Sequence, residues 1–456
     1  MVDFATLCSL RLGYGLSPRL RALSDPDALL ATLSGSEKPA PAVGMEQARE
    51  VHLQIAELNP RVREGKAGAE KERKEVVRRA RKLADRETLR RFARAVEDPG
   101  GFGERLVQFW SDHFTVSAGN AYQQLMAVAF VEEAIRPHIR SSFADLLFAA
   151  ETHPRMITYL DQQNSVGPNS VYAKKRRERR KFGLNENFAR EMIELHSLGV
   201  GADYSQRDVR ELAELLTGLS YSPGSDGLFR RNRAEPGPET VLGRTYGDEG
   251  PAKLDDIRAV IRDLACHPAT ARHLARKLAV HFVADEPPPA LVDRLAAVYE
   301  ETEGDLAALY AELVRAPELL THFHAKVRQP FDLLVAALRG LGVTGEELMA
   351  LERKQQRAWL TTPMARMGQN WGRPPGPDGW PEAAEAWITA QGMAARIDWA
   401  LRVPSRLCQE LPDPRGLLEA ALGETASAAL RWAVPRAESR PEGVALVLAS
   451  TDFNRR

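Results

Sequence analysis

The stretch Phe182–Gly218, F-G-L-N-E-N-F-A-R-E-M-I-E-L-H-S-L-G-V-G-A-D-Y-S-Q-R-D-V-R-E-L-A-E-L-L-T-G, decides how the rest of the chain is read. Asn185 stands where a helix needs an N-cap, and Glu186 in the first turn suits the positive end of the helix dipole. On a helical wheel Asn187, Arg190, Glu191 and Glu194 share one face, while Phe188, Met192, Ile193, Leu195 and His196 occupy the other. Ser205-Gln206-Arg207-Asp208 forms a capping box that opens a second helix, with Val209, Leu212, Ala213, Leu216 and Leu219 on its apolar side. Two amphipathic helices in succession set the expectation of a mainly α fold.

The same period recurs on both sides. Leu106, Phe109, Trp110 and His113 fall on one helical stripe, and helical patterns follow at 122–150, 253–265, 269–284, 290–301, 304–315, 330–341, 345–358 and after Glu382. Residues 61–98 carry 22 charges, 14 basic and 8 acidic, around a thin stripe of Val76, Ala80, Leu83, Leu89, Phe92 and Val96. That pattern predicts a long, mostly exposed helix laced with i,i+4 ion pairs, or a helical hairpin formed with residues 45–58. It reads as a solvated arm or as a docking surface for a partner.

The breaks are polar. Residues 161–181 join the loop D-Q-Q-N-S-V-G-P-N-S to a basic run of seven cations in eight residues, Lys174 to Lys181. Residues 221–250 are irregular, with one short β-hairpin expected at Glu239 to Tyr246, and 363–381 form a Trp/Pro/Gly loop. The whole of 1–456 is therefore read as one large multi-helix body, with 45–98 as a charged helical excursion.

Composition narrows the function classes. Basic and acidic residues balance at 62 each, which argues against a global design for nucleic acid or an anionic membrane. The basic run lacks interleaved aromatic residues, so nucleic acid is not the expected partner. Cys8, Cys266 and Cys408 form no C-x-x-C pair and fit a reducing compartment. No run of 18 apolar residues and no signal-peptide pattern are seen, so no membrane insertion and a cytoplasmic location are expected.

Two carboxylates one turn apart, Glu191 and Glu194, can bind a cation or push each other's pKa apart for acid–base work. The alternative is an ion-pair ladder through Glu186, Arg190 and Glu194. Glu191-x-x-Glu194 matches neither Glu-x-x-His nor H-E-x-x-H, and on an ideal helix His196 points about 140° or more away from both acids, so no metal ligands and no cofactor are assigned. His113 and His196 read as core histidines or as distant contributors to a pocket. Asp208 reads as a cap. Trp371 and Trp380 either anchor their loop or expose a ring for stacking. Nothing resembles a nucleophile elbow, a P-loop or a dinucleotide fingerprint.

The opening stretch resembles the hallmark of a large bacterial family named only as domain of unknown function 1800. Further matches are R-L-G-Y-G-L-S-P near the start, F-W-S-D-H-F-T-V-S at 109–117, D-Q-Q-N-S-V-G-P-N-S at 161–170, H-P-A-T-A-R-H-L-A-R-K-L at 267–278, P-P-G-P-D-G-W-P at 374–381 and a C-terminal L-A-S-T-D-F. The resemblance implies no reaction. It directs attention to the polar residues of those segments: His113, Asn164, Asn169, Asn185, Glu186, Asn187, Arg190, Glu191, Glu194, His196 and Asp208. It also implies a gene neighbour that looks like an exported sulfatase or alkaline phosphatase, and relatives that are themselves exported. Two expectations follow. One is a helical companion or maturation factor that binds such a neighbour. The other is a hydrolase-type enzyme, with or without a metal, using Glu191, Glu194, His113 and Arg190 as catalytic candidates. Asn169, Asn185, Asn187, Arg190, Glu191, Glu194 and Trp380 are its candidate ligand-binding residues.

Overall fold

Pro26 sits at the first helical position behind Asp25, whose side chain accepts the Ala28 N–H, and so begins the first long helix, α1 (Pro26–Ser36). The computed structural model describes residues 2–38, 43–176, 183–225 and 227–456. Next come α2 (Met45–Arg63) and α3 (Ala69–Glu97), packed side by side as a helical hairpin. Five of the six apolar residues expected on the α3 stripe are buried and only Leu83 is exposed. The outer half of α3 is charged surface, whereas its last turns drive Leu89, Phe92 and Val96 into a core. The excursion is therefore less exposed than its charge suggests.

The central element is α4 (Phe102–His113), where Phe102, Leu106, Phe109, Trp110 and His113 are all buried. At about 1.5–3 kcal/mol per large apolar side chain removed from water, this helix contributes heavily to the main core. α5 (Ala121–Phe130) and α6 (Phe143–Thr152) follow, the first capped by Asn120 and the second by Ser142. The opening stretch forms α7 (Glu186–Glu194) and α8 (Gln206–Leu215), capped by Asn185 and by the Ser205/Asp208 box as the sequence predicts. A two-stranded antiparallel ribbon, β1 (Glu239–Val241) with β2 (Arg244–Tyr246), pairs Glu239 with Tyr246 at the expected place.

Five helices, α9 (Leu254–Ala265), α10 (Pro268–Phe282), α11 (Pro289–Glu301), α12 (Leu306–Arg315) and α13 (Pro330–Gly340), lie within a few residues of the spans read from the period. The pattern at 345–358 does not form one helix. It breaks into short turns at Gly345–Met349 and Arg353–Gln356 and a wide turn at Arg357–Thr361, and helix resumes over Thr362–Arg366 inside the expected loop. α14 (Ala390–Arg402), α15 (Pro414–Leu422) and α16 (Arg440–Ala449) close the chain. With α13 and the end of α3 they bury a second core that includes Leu334, Leu338, Trp399, Leu418 and Val444. Among the described residues no helix is long and apolar enough to cross a membrane.

Candidate functional site

Asp112 and His113 occupy the last turn of α4, and His273 and Lys277 stand one turn apart on α10. The loop from Pro374 onward adds Asp378, Trp380 and Glu382. With Phe109, Arg276 and Val280 these residues line a cleft of about 250 Å³. Lys277 Nζ lies 3.0 Å from His113 Nδ1, and His113 Nε2 lies 3.3 Å from the His196 carbonyl. An ammonium can only donate and a carbonyl can only accept, so this geometry fixes His113 as the neutral Nε2–H tautomer. His196 in turn is 2.6 Å from Glu151 through Nδ1, with both side chains buried. The second Glu151 oxygen, Oε2, is buried without a partner. Because the middle link of this chain is a peptide carbonyl, it holds His113 in place and carries no proton.

Desolvation dominates the electrostatics of the cleft. Burial lowers His113 well below the usual imidazole range, and the charge of Lys277 adds to the effect. Burial likewise takes His273 down to about 4. The Lys277 ammonium is lowered by burial against the opposing pull of Asp112, Glu382 and Asp378. Asp112 is pushed up to about 8, by burial first and then by Glu382 and Asp378, although the Trp380 N–H and Lys277 favour its charged form. Asp112 and Lys277 each keep part of their surface on the cleft. Asp112, His113, His273 and Lys277 are each driven toward the neutral state.

Loop 374–382 is clamped onto the helix end. The Trp380 N–H donates to both Asp112 oxygens at 3.0 and 3.1 Å. A Cβ on Gly379, whose φ is +88°, would stand 2.7 Å from the Asp112 carbonyl oxygen and 2.8 Å from its Cγ, so the approach requires glycine. Glu382 accepts from His281 at 2.5 Å and pairs with Lys326 at 3.2 Å. Burial opposes the charge of Glu382, but His281 and Lys326 outweigh it and hold the carboxylate ionised.

The sequence-derived candidates divide between two places. His113 and Trp380 line the cleft. Glu191 is half-buried on α7 with its carboxyl raised, by burial first, and feels His196, Glu194, Asp378 and Glu151. Glu194 faces a different way: it accepts from the Tyr204 hydroxyl and from Arg190 at 3.4 Å. Arg190 also donates to Gln206 at 2.6 Å, and Gln206 to Glu186 at 2.8 Å, so of the expected ladder the Arg190–Glu194 pair forms while Glu186 is reached through Gln206. Asn187 is exposed, and Asn169 donates to Glu235 at 2.5 Å. Asn185 donates to the Leu160 carbonyl at 2.6 Å while capping its helix. Trp371 anchors its loop by stacking on Phe331 at 4.8 Å.

One expectation is corrected. The wheel that turned His196 away from the acids assumed continuing helix, but α7 ends at Glu194. The Glu191 carbonyl accepts from both Leu195 at 2.9 Å and His196 at 3.0 Å, which widens the turn and carries His196 off the wheel. Of the basic run, Lys174 to Arg176 end a short helix, and Arg177 to Lys181 lie outside the described residues.

Asp112, Glu151, His273, Lys277, Asp378 and Glu382 were not singled out from sequence. The signal was present for four of them. Asp112, His273, Lys277 and Asp378 lie inside F-W-S-D-H-F-T-V-S, H-P-A-T-A-R-H-L-A-R-K-L and P-P-G-P-D-G-W-P, the segments that carry the resemblance. Among the described residues no group of three or more His, Cys, Asp or Glu side chains is arranged to hold a metal ion.

These features define a large helical protein with a desolvated acid–base cluster on a small cleft, formed where one helix ends against another helix and a glycine-clamped loop. The chain belongs to the family described as Protein of unknown function (DUF1800), whose model matches residues 8–455. No curated protein and no solved structure matches it.

Proposed function

We propose that the protein is an enzyme of hydrolase type whose proton-transfer groups are Asp112 and Lys277, with His113 as a neutral positioning residue. The observation that carries this reading is the convergence of Asp112, His113, His273 and Lys277 on one cleft with every pKa moved toward the neutral form. Asp112, pushed up to about 8, can exchange protons near neutral pH, and such tuning in a cleft marks functional sites. Glu191, Glu194 and Arg190 give way to Asp112 and Lys277 as the leading catalytic candidates, and Glu191 keeps a place at the margin through its coupling to Asp378 and His196.

The test is a carboxyl-carbon NMR titration of Asp112 together with a screen of chromogenic esters, amides, phosphates and sulfates. Asp112 should titrate near neutrality, and Asp112→Asn and Lys277→Met should each lose the activity found while retaining the wild-type circular dichroism. Titration of Asp112 in the ordinary carboxylate range, or activity untouched by both changes, overturns the assignment.

A second reading, a companion that docks a sulfatase- or alkaline-phosphatase-like neighbour, draws on the outer end of the α2–α3 hairpin. There the ion pairs Arg61–Glu72, Lys74–Glu70 and Arg78–Glu75 are exposed. Co-purification of that neighbour in a fixed ratio, weakened by charge reversal at Arg61, Lys74 and Arg78, would favour it over the enzyme.

A further inference from the structure

A second, larger cavity of about 590 Å³ shares Asp112 and Trp380 with the acid–base cleft. Its wall is unusually basic for a chain of zero net charge. Seven arginines line it against four acids, Asp85, Glu87, Asp112 and Glu132. Three of the acids are consumed: Asp85 pairs with Arg353, Glu87 with Arg90 and Glu132 with Arg94. The fourth, Asp112, is the carboxyl driven toward its neutral form.

Arg81, Arg91, Arg357 and Arg373 remain. Among the described residues none of these four has a carboxylate within ion-pair distance. Arg81, Arg357 and Arg373 are exposed on the cavity rim. Arg91 is packed in, and its guanidinium donates only to the neutral Gln108 Oε1 at 2.8 Å. Burial lowers its pKa, and the charge of Arg136 adds to this, against the weaker pull of Glu104 and Glu132. Two further features suit an organic ligand. Trp371 and Trp380 put indole rings on the cavity, and Asn120 and Ala121 bring the first turn of α5, with its positive dipole end, to the same space. The volume lies within the range of small-molecule sites.

We propose that this cavity binds a small organic ester of a tetrahedral oxyanion, a phosphate or a sulfate, with the anion held by Arg91, Arg357 and Arg373. The planar guanidinium fork matches such oxyanions bidentately, which a lysine cannot do. The indole rings take the organic part. The site itself stands on geometry alone. Only its role as the substrate pocket for chemistry at Asp112 rests on the enzyme reading above.

Calorimetric titration decides it, using 4-nitrophenyl phosphate, 4-nitrophenyl sulfate, inorganic phosphate, inorganic sulfate and the uncharged 4-nitrophenyl glucoside. One aromatic ester should bind saturably at one site, more tightly than its inorganic anion and far more tightly than the glucoside. Whichever of the two esters binds more tightly identifies the oxyanion. Arg357→Gln and Arg373→Gln, both at exposed positions and so harmless to folding, should each weaken binding about tenfold, the scale of one charge-assisted hydrogen bond. Absence of saturable binding by every anion overturns the proposal. So does equal binding of the glucoside, or unchanged affinity in the double variant. Ester binding and the Asp112 titration are both read on the wild-type protein. A protein that binds the ester while Asp112 titrates ordinarily loses only the enzyme reading, and one in which Asp112 titrates near neutrality without binding loses only this site.

Discussion

The two ends of α4 carry the same kinds of residue and treat them in opposite ways. In its first turn Glu104 is buried and accepts from Arg136 at 2.6 and 3.0 Å. Arg136 also donates to Glu132 at 3.1 Å and to the Ser36 carbonyl at 2.8 Å, and Arg94 reaches Glu132 at 3.0 Å. Burial would raise the Glu104 carboxyl, but Arg136, Arg91 and Arg94 more than reverse it. The Arg136 guanidinium is raised despite its own burial. At the other end His113 is buried and Asp112 half-buried, and both are pushed toward neutrality. Burial alone therefore does not separate a charge held ionised from one driven neutral. What separates them is whether each buried charge finds its full set of opposite charges and donors.

Five changes would break or sharpen this contrast. Glu104→Gln should have the largest effect, costing about 3 kcal/mol in urea denaturation, because it leaves the buried Arg136 only Glu132 as a carboxylate partner. A loss under about 1 kcal/mol would mean that the first-turn network is no more structural than the cleft. Gly379→Ala should cost about 1–3 kcal/mol, since its backbone is left-handed and the new methyl meets Asp112. It should also raise the Asp112 titration further, by removing the Trp380 donor, and shift Trp380 fluorescence. An unchanged titration would show that the loop does not tune the carboxyl.

The third contrast is in pH dependence. Asp112 holds its proton up to about 8 when folded, against 3.8 as its ordinary value. The folded state therefore binds more protons across that window, and stability falls as pH rises from 3.8 to about 8. His273 works the other way. At about 4 against 6.5, the unfolded chain binds more protons between those values, so stability rises with pH through that window and is held in full above 6.5. Asp112→Asn should flatten the decline above pH 6.5, and His273→Gln the rise below it, in urea midpoints measured across the range. Curves parallel to the wild type in both variants would remove the electrostatic distinction drawn here. The smallest effect is expected for Arg190→Gln, at most about 0.5 kcal/mol for a partly exposed i,i+4 pair. A larger loss in thermal unfolding would return the α7 ladder to functional interest.

Much of the architecture is legible residue by residue because its causes are local. The Ser205/Asp208 box, the Asn185 cap and the Glu239–Tyr246 hairpin all follow from short-range geometry. The misreadings have local causes too. His196 left the wheel because the Glu191 carbonyl took two donors, and 345–358 fragmented where the helix stops after Met349 and a wide turn opens at Arg357.

The candidate site was legible in fragments only. His113, Trp380 and Glu191 were flagged, each from its own segment. Nothing in the spacing of 112, 277 and 380 joins them, because the contacts that unite them span more than a hundred and fifty residues. By itself the sequence determined the helical class, several helix caps and the family, since period, caps and motifs act within a few residues. Only the tertiary structure decided that one end of α4 is saturated with partners and the other is left short of them. Desolvation is a property of what packs around a group, and the chain order does not contain it.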